Sequence, residues 1–441
     1  MKNILILGAG RSSASLIAYL LRQSQQQGWE ITVGDYSEAN ARERVKGYAN
    51  ARAIAFDVAN EAQKREEIAK ADLVISMLPP AHHLTVAETC LEQGKHLLTA
   101  SYASPEILAL DERAKKATII ILMECGLDPG IDHLSAVKEI HKLKEEGGII
   151  KSFSSYTGGL VAPEYDNNPW NYKVSWNPRN VVLAGQGTVK YLQDGRYNYI
   201  PYHKLFSRTN KIVVNGYGEF EGYANRDSLK YRSVYGLEEA STFIRGTLRR
   251  PGYCQAWDVF VQLGMTDDSY LLENSLALTY KDFIASYLPT SGKPVQERLR
   301  EYLGLNDKIL SKLEWLGIFS DEKIGERNVT PAQVLQKLIE QKWKLEKGDK
   351  DMIVMQHKFG YELQGIQKEL TASLVVIGED SVYTAMAKTV GLPLGIAAKL
   401  ILQGKIALTG VQLPVVKELY EPILTELEEY GIVFKTEEKE V

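Results

Sequence analysis

The sequence predicts an α/β protein: an N-terminal doubly wound parallel sheet, followed by an α+β domain that carries a mainly helical insert. Three observations predict it. Through residues 1–132, β-branched apolar runs alternate with helical stretches, a rhythm that builds parallel strands joined by right-handed crossovers. The first apolar run ends in a glycine turn, Gly8-Ala9-Gly10, that opens a helix. Beyond Asp132 the texture changes to scattered strands around a long helical stretch.

The strands of the first region are expected at Asn3–Gly8, Glu30–Asp35, Ala53–Asp57, Asp72–Leu78, His96–Thr99 and Thr118–Met123. They are nearly continuous in apolar residues, as strands covered on both faces must be. Between them, Ser13–Gln26, Glu38–Gly47, Glu61–Ala71, Ala81–Gly94 and Pro105–Lys116 read as helices. Gly28, Gly47 and Gly94 stand where helices stop. Further on, Lys151–Thr157 and Lys211–Val214 read as strands and Asn167–Arg179 as a structured loop. Leu237–Lys347 is mainly helical, with apolar faces at Ile309, Leu310, Leu313, Leu316 and at Val334, Leu335, Leu338, Ile339. Paired strands follow at Asp351–Phe359 and Leu370–Ile377. An Ala-rich helix at Tyr383–Gly404 is expected to pack back on the first domain, and the charged tail Glu437–Glu440 to fray. The expected domains are 1–132 completed by about 381–441, then 133–245 with 350–380, with the insert at 246–349.

Composition limits the function classes. The net charge of −4 lacks the basic excess of a nucleic-acid binder, and 44% hydrophobic residues with 24% charged suit a globular chain. The apolar runs look too short for a membrane span, and Met1 leads directly into a strand with no leader pattern. Cys90, Cys125 and Cys254 are few, odd in number and far apart. They suggest a reducing cytoplasm and neither a disulfide framework nor a metal site. There are 24 Tyr against 10 Phe. Many of them fall between Tyr156 and Tyr235, where phenols suit either a cleft that must hydrogen-bond a polar ligand or a Tyr-rich sheet surface.

The cofactor site follows from Gly8-Ala9-Gly10-Arg11-Ser12-Ser13. Gly8 permits the tight turn, and Gly10 lets the backbone approach a pyrophosphate at the helix N-terminus. Ser13 stands where the third glycine of the usual fingerprint would be, and is small enough for close helix–strand packing. This is a Rossmann dinucleotide site. Asp35, at the end of the second strand, suits the ribose hydroxyls of NAD and opposes the 2′-phosphate of NADP. Arg42 and Arg44 offset that in part, so NAD is expected with NADP as the alternative. The rival role for Asp35 is to cap the helix at Ser37–Glu38. His82 and His83 read as solvent-facing residues of a first helical turn.

Ligands of such sheets bind at the carboxyl ends of the strands. Two unusual segments fall there, Thr99-Ala100-Ser101-Tyr102-Ala103-Ser104-Pro105 and Glu124-Cys125-Gly126-Leu127-Asp128-Pro129-Gly130-Ile131-Asp132-His133. Asp132 fits a helix N-cap, Cys125 a packing position and His133 a structural role. Asp128 is the best carboxylate for general-base work, with Tyr102 behind it.

The second segment, with Ser154–Glu164, Asn168-Pro169-Trp170, Lys173–Trp176, Tyr223–Ser228, Ile244–Arg249, Met355–Gly360 and Ala387–Gly391, closely resembles the glutamate-forming saccharopine dehydrogenases, also called saccharopine reductases. The resemblance runs in order along almost the whole chain. It implies a Rossmann domain, a substrate domain and a helical insert. It also implies the NAD(P)-dependent conversion of saccharopine to L-glutamate and 2-aminoadipate 6-semialdehyde. Saccharopine carries three carboxylates, which call for guanidinium forks. By resemblance Arg226 binds a substrate carboxylate, and Ser101, Tyr102, Asp128 and the Gly246-Thr247-Leu248 stretch contact substrate. Leu127, Asp128 and Pro129 lie near the nicotinamide, and Ser175 contacts the cofactor. Arg226 paired with Asp227, and Gly246–Leu248 as a helix start, are the structural alternatives. Rival functions are a related imine-handling enzyme, carboxynorspermidine dehydrogenase or lysine 6-dehydrogenase, and a non-catalytic dinucleotide-sensing module. No nucleic acid, membrane or metal is expected as a partner, and a homodimer is the default assembly.

Overall fold

A computed structural model describes residues 1–441. The chain divides into two compact units, the first Met1–Ile149 with Leu374–Lys435, the second Ile150–Ser373 with Thr436–Val441.

In the first unit, β1 (Asn3–Leu7), β2 (Glu30–Asp35), β3 (Ala51–Ala55), β4 (Leu73–Ser76), β5 (His96–Thr99) and β6 (Ile120–Leu122) join strand Gly410–Gln412 in one sheet. The order is 410–412, β6, β5, β4, β1, β2, β3, every pair parallel. The order reverses at β1, so a crevice opens beyond the carboxyl ends of β1 and β4. Ile4, Leu5, Ile6, Leu73, Val74, Ile75, Leu97 and Leu98 are at most 1% exposed, as the unbroken apolar runs require.

Helix Ala385–Leu402 belongs to this unit. Its small residues let it approach helix Ala14–Gln27: a Cβ at Gly391 would lie 2.7 Å from Leu16 N, and one at Gly395 2.6 Å from the Tyr19 ring. This helix also corrects the sequence reading of apolar runs. Its 18 residues and mean hydropathy of 1.5 meet the length and composition of a span, and 78% of that stretch is buried within the protein, as a core helix would be.

The first unit does not stop at 132. Helix Ile131–Glu145 stays in it, and His141 Nδ1 meets the Tyr420 hydroxyl at 3.0 Å. That partner lies far along the chain, which is why local texture misplaced the boundary.

The second unit is built on β7 (Ile149–Val161), β8 (Val189–Gln193), β9 (Arg196–Ile200), β10 (Thr209–Val214), β11 (Gly218–Ala224), β12 (Thr242–Arg249), β13 (Asp351–Leu363) and β14 (Ile366–Ile377). The main path is β10-β11-β12-β7-β13-β14 and then strand Lys435–Glu440. β12 runs parallel to β7 and antiparallel to β11. Two expectations change here. The tail is a strand, because Glu438 accepts from the Tyr361 hydroxyl (2.6 Å) and pairs with Lys368 (2.8 Å). The helical insert begins after Arg249, since Gly246–Leu248 lie inside β12.

The core of this unit explains part of the tyrosine excess. Arg249, 3% exposed, has Tyr172, Tyr253 and Tyr223 rings 5.1, 5.2 and 5.9 Å from its guanidinium carbon. Burial opposes its charge, while the surrounding phenols hold the group protonated. Trp170, Trp257 and Trp343 pack against two of these rings, Tyr172 and Tyr253, with Trp170 and Trp343 centroids 5.1 Å apart and Trp257 and Trp343 5.8 Å apart. These tyrosines are therefore core, while Tyr197 and Tyr199 stand exposed on β9.

Candidate active site

Two loops at the carboxyl ends of the first sheet carry the dinucleotide signature. Gly8 has φ +107, a conformation that strains any residue with a side chain, and a Cβ there would lie 3.0 Å from the Met77 carbonyl oxygen. The turn then enters a short 3-10 segment, Arg11–Ser13, ahead of the helix. Gly10 is exposed, and a Cβ on it would meet no atom within 4 Å. The space over this backbone suits a pyrophosphate. Ser13 is buried and turns its hydroxyl to the Gly10 carbonyl (2.9 Å), while Ser12 is half-buried and Arg11 exposed.

Asp35 ends β2 with both carboxylate oxygens engaged. Its Oδ2 accepts from Ala9 N (2.7 Å), inside the glycine turn, and its Oδ1 from Ser37 N (2.9 Å), ahead of helix Glu38–Val45. The carboxylate thus sits against the cofactor turn. Arg42 is held by Glu38 at 2.6 Å.

Neighbouring strands β5 and β6 bring the two unusual segments together. Glu124 N donates to Ser101 O (3.0 Å) and Cys125 N to Thr99 O (3.1 Å). Glu124, 2% exposed, holds φ +58, a left-handed conformation that costs about 1–3 kcal/mol for a non-glycine residue. Its Oε1 accepts from Ala103 N (3.0 Å) and its Oε2 meets His133 Nε2 (2.8 Å). Glu124 therefore clamps the loop on both sides of Tyr102. The Tyr102 hydroxyl donates to Asp128 Oδ1 at 3.0 Å, so the two candidate catalytic groups do meet.

Loop 126–130 that carries Asp128 is closed on itself by Gly126 N to Pro129 O (2.9 Å) and Ile131 N to Gly126 O (2.8 Å). Gly130, at φ +148, has no room for a Cβ, which would overlap the Gly126 backbone. Leu127 and Pro129 are buried and Asp128 half-buried. Gly130, not Asp132, occupies the helix N-cap position. Asp132 Oδ1 turns back to accept Gly130 N (2.7 Å) and stiffens the loop. Cys125 is wholly buried, its thiol pushed up to about 12 by burial, so it packs and does not react.

His83 departs most from expectation. It is 2% exposed, with Nδ1 2.9 Å from Ser76 Oγ and Nε2 2.7 Å from Ser101 Oγ. Burial pushes its pKa down to about 4, so the ring is neutral. His82 beside it is half-buried. The local sequence offers nothing to distinguish them. The signal that was available is the placement of Ser76, His83 and Ser101 at or just beyond neighbouring strand ends.

In the second unit Arg226 holds φ +48, and its carbonyl accepts from Lys190 N (2.9 Å). Asp227 pairs with Lys190 at 3.3 Å. A Cβ at Gly246 would overlap the Tyr156 ring, and Leu248 is fully buried. Of that stretch, only the backbone and Thr247 are left to touch a ligand. Ser175 is 2% exposed and its hydroxyl has no hydrogen-bond partner. A buried hydroxyl of this kind fits a group waiting for a ligand.

Comparison with known proteins identifies the family. Residues 4–122 match the family described as saccharopine dehydrogenase NADP binding domain, and residues 126–432 the saccharopine dehydrogenase C-terminal domain. A saccharopine dehydrogenase (NADP(+), L-glutamate-forming) of Schizosaccharomyces pombe is 35% identical, over 99% of both chains. The mitochondrial alpha-aminoadipic semialdehyde synthase of Bos taurus is 36% identical over 99% of this chain, which spans 48% of that longer protein. The apo saccharopine dehydrogenase (L-Glu forming) from Saccharomyces cerevisiae superposes with a TM-score of 0.89 at 34% identity, covering both chains completely. With likeness of this degree from one end to the other, the chain belongs to the L-glutamate-forming saccharopine dehydrogenase family.

Proposed function

We propose that this chain is an oxidoreductase of lysine metabolism that interconverts saccharopine and water with L-glutamate and 2-aminoadipate 6-semialdehyde. The observation that carries this reading is the Tyr102–Asp128 pair, held at 3.0 Å where the strands of a dinucleotide fold end, in a chain of this family. When bound, the nicotinamide dinucleotide supplies the hydride exchange. The chain's own residues do the rest.

Asp128 takes the proton of the saccharopine secondary amine, and the Tyr102 phenol fixes its carboxylate. Ser101 and Thr247 offer hydroxyls, and Arg226 a guanidinium, to the substrate carboxylates. Gly246 and Leu248 offer backbone only. Gly8, Gly10, Arg11, Ser12 and Ser13 cradle the pyrophosphate. Leu127, Asp128, Pro129 and Ser175 keep the cofactor assignments that the resemblance gave them.

For the dinucleotide itself we infer NAD over NADP, from the negative charge that Asp35 places against the glycine turn. The names of the fungal relatives pull the other way, since they specify NADP(+). A cytoplasmic setting is supported by three cysteines that are all free and buried. A homodimer is proposed on symmetry statistics alone. The deciding experiment follows nicotinamide absorbance during saccharopine oxidation, and during reductive condensation of glutamate with the semialdehyde, with NAD and NADP in parallel. No turnover with either cofactor in either direction rejects the reading. A higher kcat/KM with NADP rejects the Asp35 inference alone.

A further inference from the structure

His83 touches neither candidate catalytic group, yet its surroundings are built. The ring lies inside the first unit, just past β4. Its Nδ1 meets Ser76 Oγ at 2.9 Å and its Nε2 meets Ser101 Oγ at 2.7 Å, with Thr99 Oγ1 at 3.4 Å. Thr99 Oγ1 in turn accepts from Ser101 N (3.3 Å). Ser76, Thr99 and His83 are buried, whereas Ser101 is half-buried. The chain of hydrogen bonds thus runs from the sheet interior to one hydroxyl at the carboxyl end of β5.

We propose that His83 is a positioning residue: it sets the direction of the Ser101 hydroxyl so that this group donates to a substrate carboxylate. The inference rests on the assignment of Ser101 to substrate made above. A neutral imidazole has one donor and one acceptor nitrogen. If Nε2 carries the hydrogen, it donates to Ser101 Oγ, Ser76 donates to Nδ1, and the Ser101 hydrogen is left for the ligand. If Nδ1 carries it, Ser101 spends its hydrogen on the ring and turns lone pairs outward. A substrate with three carboxylates needs the first arrangement, because lone pairs facing a carboxylate repel. A buried histidine must satisfy both nitrogens whatever its role; what points to positioning is that the partner on Nε2, Ser101, is half-buried at the carboxyl end of β5 whereas the partner on Nδ1, Ser76, is buried.

Two measurements on the full-length enzyme test this. The first is a double-mutant cycle in saccharopine oxidation. His83→Phe keeps the ring shape and removes both nitrogens, and His83→Gln restores a donor. His83→Phe and Ser101→Ala should each raise the saccharopine KM about tenfold, with little change in the cofactor KM. The double variant should be no worse than Ser101→Ala, and His83→Gln should recover most of the loss. Additive effects, or equal effects on both KM values, overturn the proposal. The second is the tautomer of His83, read from the side-chain nitrogen shifts of ¹⁵N-histidine-labelled enzyme and assigned with His83→Gln. An Nε2–H tautomer supports the relay and an Nδ1–H tautomer overturns it, even if His83→Phe fails to fold. Wild-type enzyme that ignores saccharopine rejects the functional reading instead, and the tautomer then judges His83 by itself.

Discussion

Asp128→Asn separates two roles that the geometry allows. The Tyr102 hydroxyl donates to Asp128 Oδ1 over 3.0 Å. After the substitution an amide oxygen still accepts there, so the contact changes from a charged to a neutral hydrogen bond, a loss of about 1 kcal/mol. If Asp128 only oriented Tyr102, turnover would fall by about five- to tenfold. If it accepts the amine proton, the amide has no basic site and kcat should fall by about 10²–10⁴. The larger drop is expected. Stability should move by less than about 1 kcal/mol, because the side chain is half-buried and keeps its partner. Steady-state kcat for saccharopine oxidation, alongside urea unfolding of the same preparation, gives both numbers. A folded variant within about threefold of wild type would show that solvent or another residue takes the proton.

Arg226→Ala should raise the saccharopine KM by about 10²-fold or more, as lost carboxylate–guanidinium pairs do, and leave the cofactor KM nearly unchanged; equal effects on both would remove its assigned role. Lys173 and Asp349 form a buried ion pair, 2.6 Å apart, with side chains 5% and 10% exposed. Lys173→Met strands the carboxylate and should cost about 3–5 kcal/mol in a denaturant titration; a loss below about 1 kcal/mol would mean that water reaches the site. His83 titrates at about 4 when folded, against about 6.5 unfolded. The unfolded state therefore binds the proton first. Stability from this site is complete above about pH 6.5 and is lost as the pH falls toward about 4, by up to about 3 kcal/mol. Urea midpoints across that window should show a shallower slope in His83→Gln than in wild type, and parallel slopes would refute the assignment.

The first sheet was legible because its signals are local. An unbroken apolar run, a glycine with no room for a side chain and a carboxylate at a strand end all act within a few residues, and Gly8 and Asp35 stand where those rules put them. What escaped depends on partners distant in sequence. Glu437–Glu440 looks frayed until Tyr361 and Lys368 stand beside Glu438. Gly246-Thr247-Leu248 resembles a helix start until β7 and β11 flank it. Glu124 and His133 stand out in the sequence as polar residues of an unusual segment, but the grip of Glu124 on the Ser101–Ala103 loop, with His133 behind it, arises only when β5 and β6 lie side by side. His83 could not be told from His82, because which histidine faces inward is settled by the strands beneath, not by its neighbours in the chain.

The indole cluster against Tyr172 and Tyr253 gives the protein a built-in optical probe. Of the six tryptophans, only Trp29 lies in the first unit; Trp170, Trp176, Trp257, Trp315 and Trp343 lie in the second. With Trp170, Trp257 and Trp343 at centroid separations of 5.1–6.4 Å, excitation of one is shared among them, and their emission reports on this core. Intrinsic fluorescence should therefore follow melting of the second unit in the main, with buried Trp29 the one indole reporting on the first.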